Sequence, residues 1–259
     1  MRLGLLILVG CNSAFGIETV GPPADATPPD GPIGYAAAVL ADHPLAYLPL
    51  DELSGIVAHD RAGSNDGTYL GTGLTLGADP PFASAGHAIS IDGRDGAVDL
   101  GDRFGFPGTL PYTIEVWVAP QVIANRTYYS IISKWREPGT LPPSGWNVFY
   151  DNTSNVAYTR ETPGSPIAQP RASALYTPGW HYIVATYDGA AMLLYYDAKE
   201  ADMVATAMGL VPVTQHLEIG GANGDPRAVP LLGSIAQVAI YDHVLPFDRI
   251  LAHYTARAE

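Results

Sequence analysis

The sequence predicts an all-β domain carrying two short helices. Three observations predict it. From Tyr35 onward, apolar and aromatic runs of four to nine residues recur along the chain. Clusters of Gly, Pro, Asn and Asp interrupt them, in a chain where 28 of 259 residues are Gly and 23 are Pro. The longer runs alternate with the two-residue period of a strand. Such a pattern fits a sandwich or a barrel rather than strands alternating with helices.

The first elements precede the domain. Arg2 leads an apolar stretch, Leu3 to Gly10, which ends at Cys11, the only cysteine. A run this short falls well below the ~20 apolar residues that span a bilayer. It has the order of a secretory signal, and Leu8-Val9-Gly10-Cys11 resembles the lipobox of bacterial lipoproteins. The resemblance implies cleavage before Cys11 and lipidation of its thiol. Residues 1–10 are thus expected to be a signal peptide. Residues 11–34, with five prolines between Glu18 and Gly34, read as a solvated tether. Residues 35–259 are expected to form one domain. This order implies secretion through the inner membrane and a lipid-anchored position in the bacterial envelope, at the outer membrane or cell surface.

Within the domain, Tyr35–Ala41 is expected to be a short helix that stops before Pro44. Strands are expected near Ala46–Leu50, Thr68–Leu70, Ala88–Ile91, Ala97–Leu100, Tyr112–Ala119, Tyr128–Lys134, Trp146–Tyr150 and Val156–Thr159. Four more follow near His181–Tyr187, Met192–Tyr196, Leu217–Ile219 and Ile235–Tyr241. Asp188-Gly189, between two aromatic-rich runs, is the strongest hairpin signal. Asp151 to Asn155 reads as a longer hairpin loop. In the strand after Tyr112, Ile114, Val116 and Val118 share one face, and Thr113, Glu115 and Trp117 the other. The run Ile235–Tyr241 is almost wholly apolar, as a strand buried on both faces would be. Phe247–Ala256 closes the chain as a helix, with Ile250, Leu251 and Tyr254 at helical spacing and Asp248 near its N-terminus. Strands near the two ends of the domain are expected to pair.

Charge narrows the function. Asp and Glu number 26 against 13 Lys and Arg, a net charge of −13. A chain this acidic and without a basic cluster repels phosphate backbones, so no nucleic-acid partner is expected. A single cysteine excludes an intramolecular disulfide framework.

Eight segments in order carry a family resemblance. They run from Ala41-Asp42-His43-Pro44-Leu45-Ala46-Tyr47, through Asn65-Asp66-Gly67, Ile91-Asp92-Gly93 and Tyr112 to Val118, to Ile132-Ser133-Lys134-Trp135. Gly179-Trp180-His181-Tyr182 with Ile219-Gly220-Gly221, and then Gly233 to Asp242, complete the series. The sequence resembles a LamG-like jelly-roll domain of the concanavalin A-like lectin/glucanase superfamily over about residues 35–257. The resemblance implies a two-sheet antiparallel jelly-roll sandwich with short peripheral helices. The chain departs from the family's pattern at Ala198, where a turn usually has Gly, and at Gln237, a commonly acidic position.

Retaining glucanases of the superfamily need two carboxylates roughly 5 Å apart, usually on one strand. None of the eight glutamates forms such a motif. Glu115, sharing a face with Trp117, has no second carboxylate two or four positions away and reads as structural. No Gly-x-Ser-x-Gly or His-Glu-x-x-His motif occurs, so no catalytic residue is expected. His181 reads as a packed strand residue.

For ligands, the loops Trp135–Trp146 and Gly221–Pro230 are the candidates. Trp135 and Trp146 would stack on sugar rings and Arg136 would bond hydroxyls, although both tryptophans also suit the packed edge of a sandwich. Laminin G domains hold a rim calcium, and the matching loop here offers Asn223 and Asp225. A structural calcium is therefore the candidate cofactor, with Asn223 and Asp225 as its candidate ligands. A weaker ion site is Asp51, Glu52, Asp60 and Asp242. The reading is a non-catalytic, surface-anchored binding or adhesion module for a glycan or a surface protein. The alternatives are a glycoside hydrolase or lyase on the same fold, and a structural envelope protein without a soluble ligand.

Overall fold

The computed structural model describes residues 34–121, 128–136, 142–151, 155–172, 178–222 and 229–258. The chain divides into two units, Met1–Pro32 and Ile33–Glu259, and the described residues all belong to the second. Cys11, Asn223 and Asp225 lie outside the described residues.

Among the described residues are helices α1 (Tyr35–Ala41) and α2 (Phe247–Ala256) and sixteen strands. The first eight are β1 (Ala46–Leu48), β2 (Val57–Ala58), β3 (Gly67–Leu70), β4 (Leu74–Ala78), β5 (Ala88–Asp92), β6 (Ala97–Asp99), β7 (Tyr112–Pro120) and β8 (Tyr128–Arg136). The others are β9 (Ser144–Asp151), β10 (Val156–Glu161), β11 (Arg171–Ala172), β12 (His181–Tyr187), β13 (Ala191–Tyr196), β14 (Lys199–Ala205), β15 (Glu218–Ile219) and β16 (Leu232–Tyr241). They form two antiparallel sheets. The first runs β14-β13-β12-β7-β16-β5-β4, with β1 also on β16, and the second runs β11-β10-β9-β8-β15-β6-β3-β2. This is the two-sheet sandwich that the resemblance implies, and the two ends of the domain do pair, Ala46 opposite Ile240.

The core follows from alternation. Ile114, Val116 and Val118 of β7, and Ile235, Val238 and Ile240 of β16, face inward. Opposite them a cross-strand row of the second sheet, Tyr158-Val148-Ile132-Ile219-Val98-Tyr69, also faces inward. Burying each such side chain contributes roughly 1.5–3 kcal/mol, so this double layer dominates stability. The run Ile235–Tyr241 is buried on both sides, because its outward residues Ala236, Ala239 and Tyr241 lie on the face that α1 and α2 cover.

That cover is held by charge as well as by apolar packing. Glu115 points out of β7 beneath the helices and is fully buried. It accepts hydrogen bonds from Tyr35 of α1, from Tyr241 Oη at 3.1 Å and from His253 Nδ1 of α2 at 2.9 Å. The other ring nitrogen of His253, Nε2, faces Ala38 O at 3.1 Å and Asp42 Oδ2 at 2.9 Å. Trp117, the other outward residue of β7 here, stacks on Tyr254 with ring centroids 5.9 Å apart. The sequence placed Leu251 on the buried stripe of α2. It is instead 42% exposed, and Ile250, His253 and Ala256 are buried. The carboxylates of Glu115 and Asp42 draw His253 inward, which turns Leu251 out.

Four strands were not legible in the sequence. β4 is interrupted by Gly77 at φ 74°, where its register with β5 shifts. β14 is polar and exposed because it is the sheet's edge. β2 and β11 are two residues long.

Asp197 and Ala198, between β13 and β14, have φ 50° and 54°. Both central residues of this turn are left-handed, as in a type I′ hairpin, where Ala carries a strain of roughly 1–2 kcal/mol. Ala198→Gly relieves the strain and loses the packing of one buried methyl, about 0.8 kcal/mol. A net gain of about 0.5–1 kcal/mol is expected in urea denaturation. Gln237 sits at a bulge in β16 with φ 55°. Its Nε2 donates to Ala85 O at 3.0 Å, and its Oε1 accepts from Tyr47 Oη. A carboxylate could not make the first bond, which accounts for the amide at this position.

Candidate binding site

Both helices pack on the first sheet, and the outward side of the second sheet carries a groove of about 150 Å³ that opens to solvent. Register explains its lining. The residues that alternate with the inward row form a second row pointing outward, Thr159-Asn147-Ser133-Glu218-Asp99-Thr68, polar at every position. The groove overlies the β8–β10 end of this row. Asn147 and Thr159 line its middle, with Gln169 beside Thr159. Trp135, Glu161 and Ile167 line one end, and Tyr128 and Phe149 the other. Phe149 lies four residues along β9 from Gly145, the partner of Trp135, which separates the two aromatic ends by ~13 Å along the strand.

Two pairs of the lining side chains bond each other, Trp135 with Glu161 and Gln169 with Thr159. Trp135 Nε1 donates to Glu161 Oε2 at 3.2 Å. Burial pushes the Glu161 carboxyl above its ordinary value, and the Trp135 bond partly opposes that rise. Asn147 is 8% exposed, and its Oδ1 has no hydrogen-bond partner among the described residues. Gln169 donates to Thr159 Oγ1 and accepts from Arg171, whose other bond goes to Asp151 Oδ2 at 2.8 Å. Gly145, at φ 118°, is required opposite Trp135, because a Cβ there would lie 2.1 Å from Lys134 O.

The structure separates the residues that the sequence grouped. Trp135 lines the groove. Trp146 pairs with Lys134, not Trp135, so it faces the opposite side of the sheet. It is fully buried in the core, with Nε1 donating to Phe104 O at 3.0 Å. As a ligand-stacking residue Trp146 is corrected: alternation along β9 places it inside. Arg136, one position beyond Trp135, is half-buried and donates from Nε to Pro142 O at 2.9 Å. It is not among the groove's lining residues. Asn147, Phe149, Thr159 and Glu161 were missed. Their alternation with Trp146, Val148, Tyr158 and Arg160 was present in the sequence, but which set faces outward depends on the second layer.

The candidate ion site near Asp51 is taken up by protein donors. Asp60 accepts from the backbone N–H groups of Tyr47, Ala62 and Asn65, Glu52 from His59 N and Tyr69 Oη, and Asp51 pairs with Arg61. Among the described residues no three His, Cys, Asp or Glu side chains gather as a metal site. One pair of carboxylates does meet across strands, Asp99 opposite Glu218. Glu218 is fully buried, and Asp99 is held by His216 Nδ1 at 2.9 Å and by Gly101 N at 2.7 Å, so substrate does not reach this pair as a dyad. Glu115 lies beneath the helices, and His181 is buried with Nδ1 3.0 Å from Asp197 Oδ2.

This architecture, two antiparallel sheets with a groove on one outward face, has a sequence counterpart. The profile of the concanavalin A-like lectin/glucanases superfamily matches residues 92–250. The chain belongs to this superfamily. Solved structures of similar fold include the binding domain of botulinum neurotoxin DC in complex with SialylT, at TM-score 0.62 and 13% identity over 84% of this chain and 52% of that one. The same domain in complex with rat synaptotagmin II matches at TM-score 0.61 and 13% identity, over 84% and 52% of the two chains. The binding domain of Paraclostridial Mosquitocidal Protein 1 matches at TM-score 0.62 and 15% identity, over 82% and 52%. The chain thus spans about half the length of these structures, and at such identities the likeness is one of fold. No curated protein matches the sequence.

Proposed function

We propose that this superfamily member is a non-catalytic binding module that takes a glycan or a surface protein into the groove of the second sheet. The observation that carries this reading is the groove itself, with aromatic side chains at both ends and polar side chains between them. The similar structures are named as binding domains, in complex with SialylT and with synaptotagmin, which supports a binding role. The carboxylates that would serve hydrolysis are buried or bonded to protein groups, which supports the absence of catalysis. Binding on a glycan array or in a pull-down is expected for the wild-type chain. Trp135→Ala, which removes one aromatic platform, is expected to weaken it about tenfold with little change in thermal stability. Binding unchanged by this substitution would place the ligand elsewhere.

The same reading places the module at the bacterial envelope. Cys11 is the proposed lipid attachment point, residues 1–10 the cleaved signal and residues 11–34 the tether, with residues 35–259 as the displayed domain. Lys and Arg number only 13 against 26 acidic residues, so the domain should stand off an anionic membrane and contact it through the lipid alone. Mass spectrometry of the N-terminal peptide is expected to find Cys11 first and lipidated. An unmodified Cys11 within an intact N-terminus overturns the anchor.

A further inference from the structure

We infer that the groove selects an uncharged glycan chain and turns away glycans bearing carboxylate, sulfate or phosphate. The inference rests on the binding reading above and adds the charge class of the ligand. Four observations carry it. Among the described residues, the groove's lining includes the Glu161 carboxylate and no Lys or Arg. The nearest cation in its hydrogen-bond network, Arg171, is already engaged by Asp151 Oδ2 at 2.8 Å and by Gln169. The groove's middle is lined by uncharged side chains, Asn147 and Thr159. The chain as a whole carries −13.

An acidic ligand would set its charge against Glu161 in a partly desolvated groove with no Lys or Arg among its described lining residues to offset it, and like charges so placed repel. Hydroxyl donors instead satisfy Glu161, while the apolar faces of sugar rings lie on Trp135 at one end and Phe149 at the other. The ~13 Å between the aromatic ends suits an extended chain better than a single sugar. A peptide strand fits less well, because the groove lies on a sheet face and offers side chains rather than the unpaired backbone of an edge.

The test is equilibrium binding of paired soluble oligosaccharides, neutral against uronate-containing, sialylated and sulfated, to the whole chain at low and at physiological salt. Wild type is expected to bind neutral chains at least about tenfold more tightly than acidic ones, with neutral binding lost about tenfold in Trp135→Ala. Glu161→Gln is expected to narrow the gap between the two classes, a readout that simple loss of packing would not produce. Circular dichroism confirms that each variant is folded. Acidic glycans bound by wild type and lost in Trp135→Ala would overturn the inference and leave the binding reading standing. Retention of no glycan of either class would overturn the inference, and capture of a protein through Trp135 in that case would still uphold a binding module.

Discussion

Glu115→Gln is expected to destabilise the domain by about 3–5 kcal/mol and to loosen both helices from the first sheet. Glu115 is buried where Tyr35, Tyr241 and His253 converge, so one carboxylate holds α1, β16 and α2 together. The amide leaves His253 facing only Asp42 and Ala38 and presents a donor where Tyr241 and His253 also donate. Breaking one partner of a buried ion pair costs more than the pair contributes, because the remaining charge is stranded. Chemical denaturation measures the loss. Hydrogen exchange should show lowered protection across Tyr35–Ala41 and Phe247–Ala256, while the central strands β7 and β16 keep theirs.

The same cluster fixes a pH dependence. Burial by itself would raise Glu115, but His253 beside it and the bonds from His253 and Tyr35 outweigh that and hold it below the ordinary carboxylate value. Burial by itself would lower His253, but Glu115 and Asp42 outweigh that and raise it above 6.5. Both ring nitrogens of His253 face acceptors, and only the imidazolium donates from both. For Glu115, whose folded pKa is depressed, stability is present above the unfolded value near 4.5 and lost as pH falls through the folded one. For His253, whose folded pKa is raised, stability is full below 6.5 and lost as pH rises through the folded value. The pair therefore contributes most between these two unfolded values. Melting temperature against pH should decline on both sides of that window, and His253→Gln should flatten the alkaline limb. An alkaline limb identical in the variant would remove His253 as its cause.

Arg160→Ala is expected to cost a further large amount, about 3–5 kcal/mol. Arg160 points inward from β10 and is fully buried. Its guanidinium donates to Tyr112 Oη at 3.0 Å, to Gly108 O at 3.1 Å and to Met208 O at 3.0 Å, and lies 3.6 Å from the Tyr187 ring centroid. No carboxylate pairs with it among the described residues. Its charge is met by carbonyl dipoles and ring faces, a planar arrangement that a lysine cannot reproduce. It joins β10 to the paired segments around Gly108 and Leu210, which close one end of the sandwich. Arg160→Met fills the volume without burying a charge, so it should cost less than either Ala or Lys. An urea-denaturation series of the three variants gives the order, and Lys as the mildest would contradict this account of the site.

Much of this fold was legible because the period-two pattern is local. Tyr112 to Val118 shows its two faces in sequence, and both helices end where Pro44 and the final apolar positions set them. β14 was not legible because an edge strand needs no apolar face, and β4 because Gly77 breaks its run. The groove was half legible. Trp135 stood out as a tryptophan at the end of a strand, but Asn147, Thr159 and Glu161 are ordinary polar residues until their neighbours across the sheet are known. Trp146 shows the same limit from the other side, since a tryptophan in a surface-like loop region proved to be core.

By itself, then, the sequence determined what depends on near neighbours: strand periodicity, turn positions, the two helices, an acidic surface, and segments in a recognisable family order. Tertiary structure decided what depends on residues far apart in the chain. It turned the Trp135 side of β8 outward and the Trp146 side of β9 inward. It brought Glu115 and His253, 138 positions apart, into one buried pair. It also set Thr159, Asn147, Ser133, Glu218 and Asp99 in a single row across five strands. The physical reason is that a strand's two faces are chemically distinct in sequence, but only packing of the second layer determines which of them meets water.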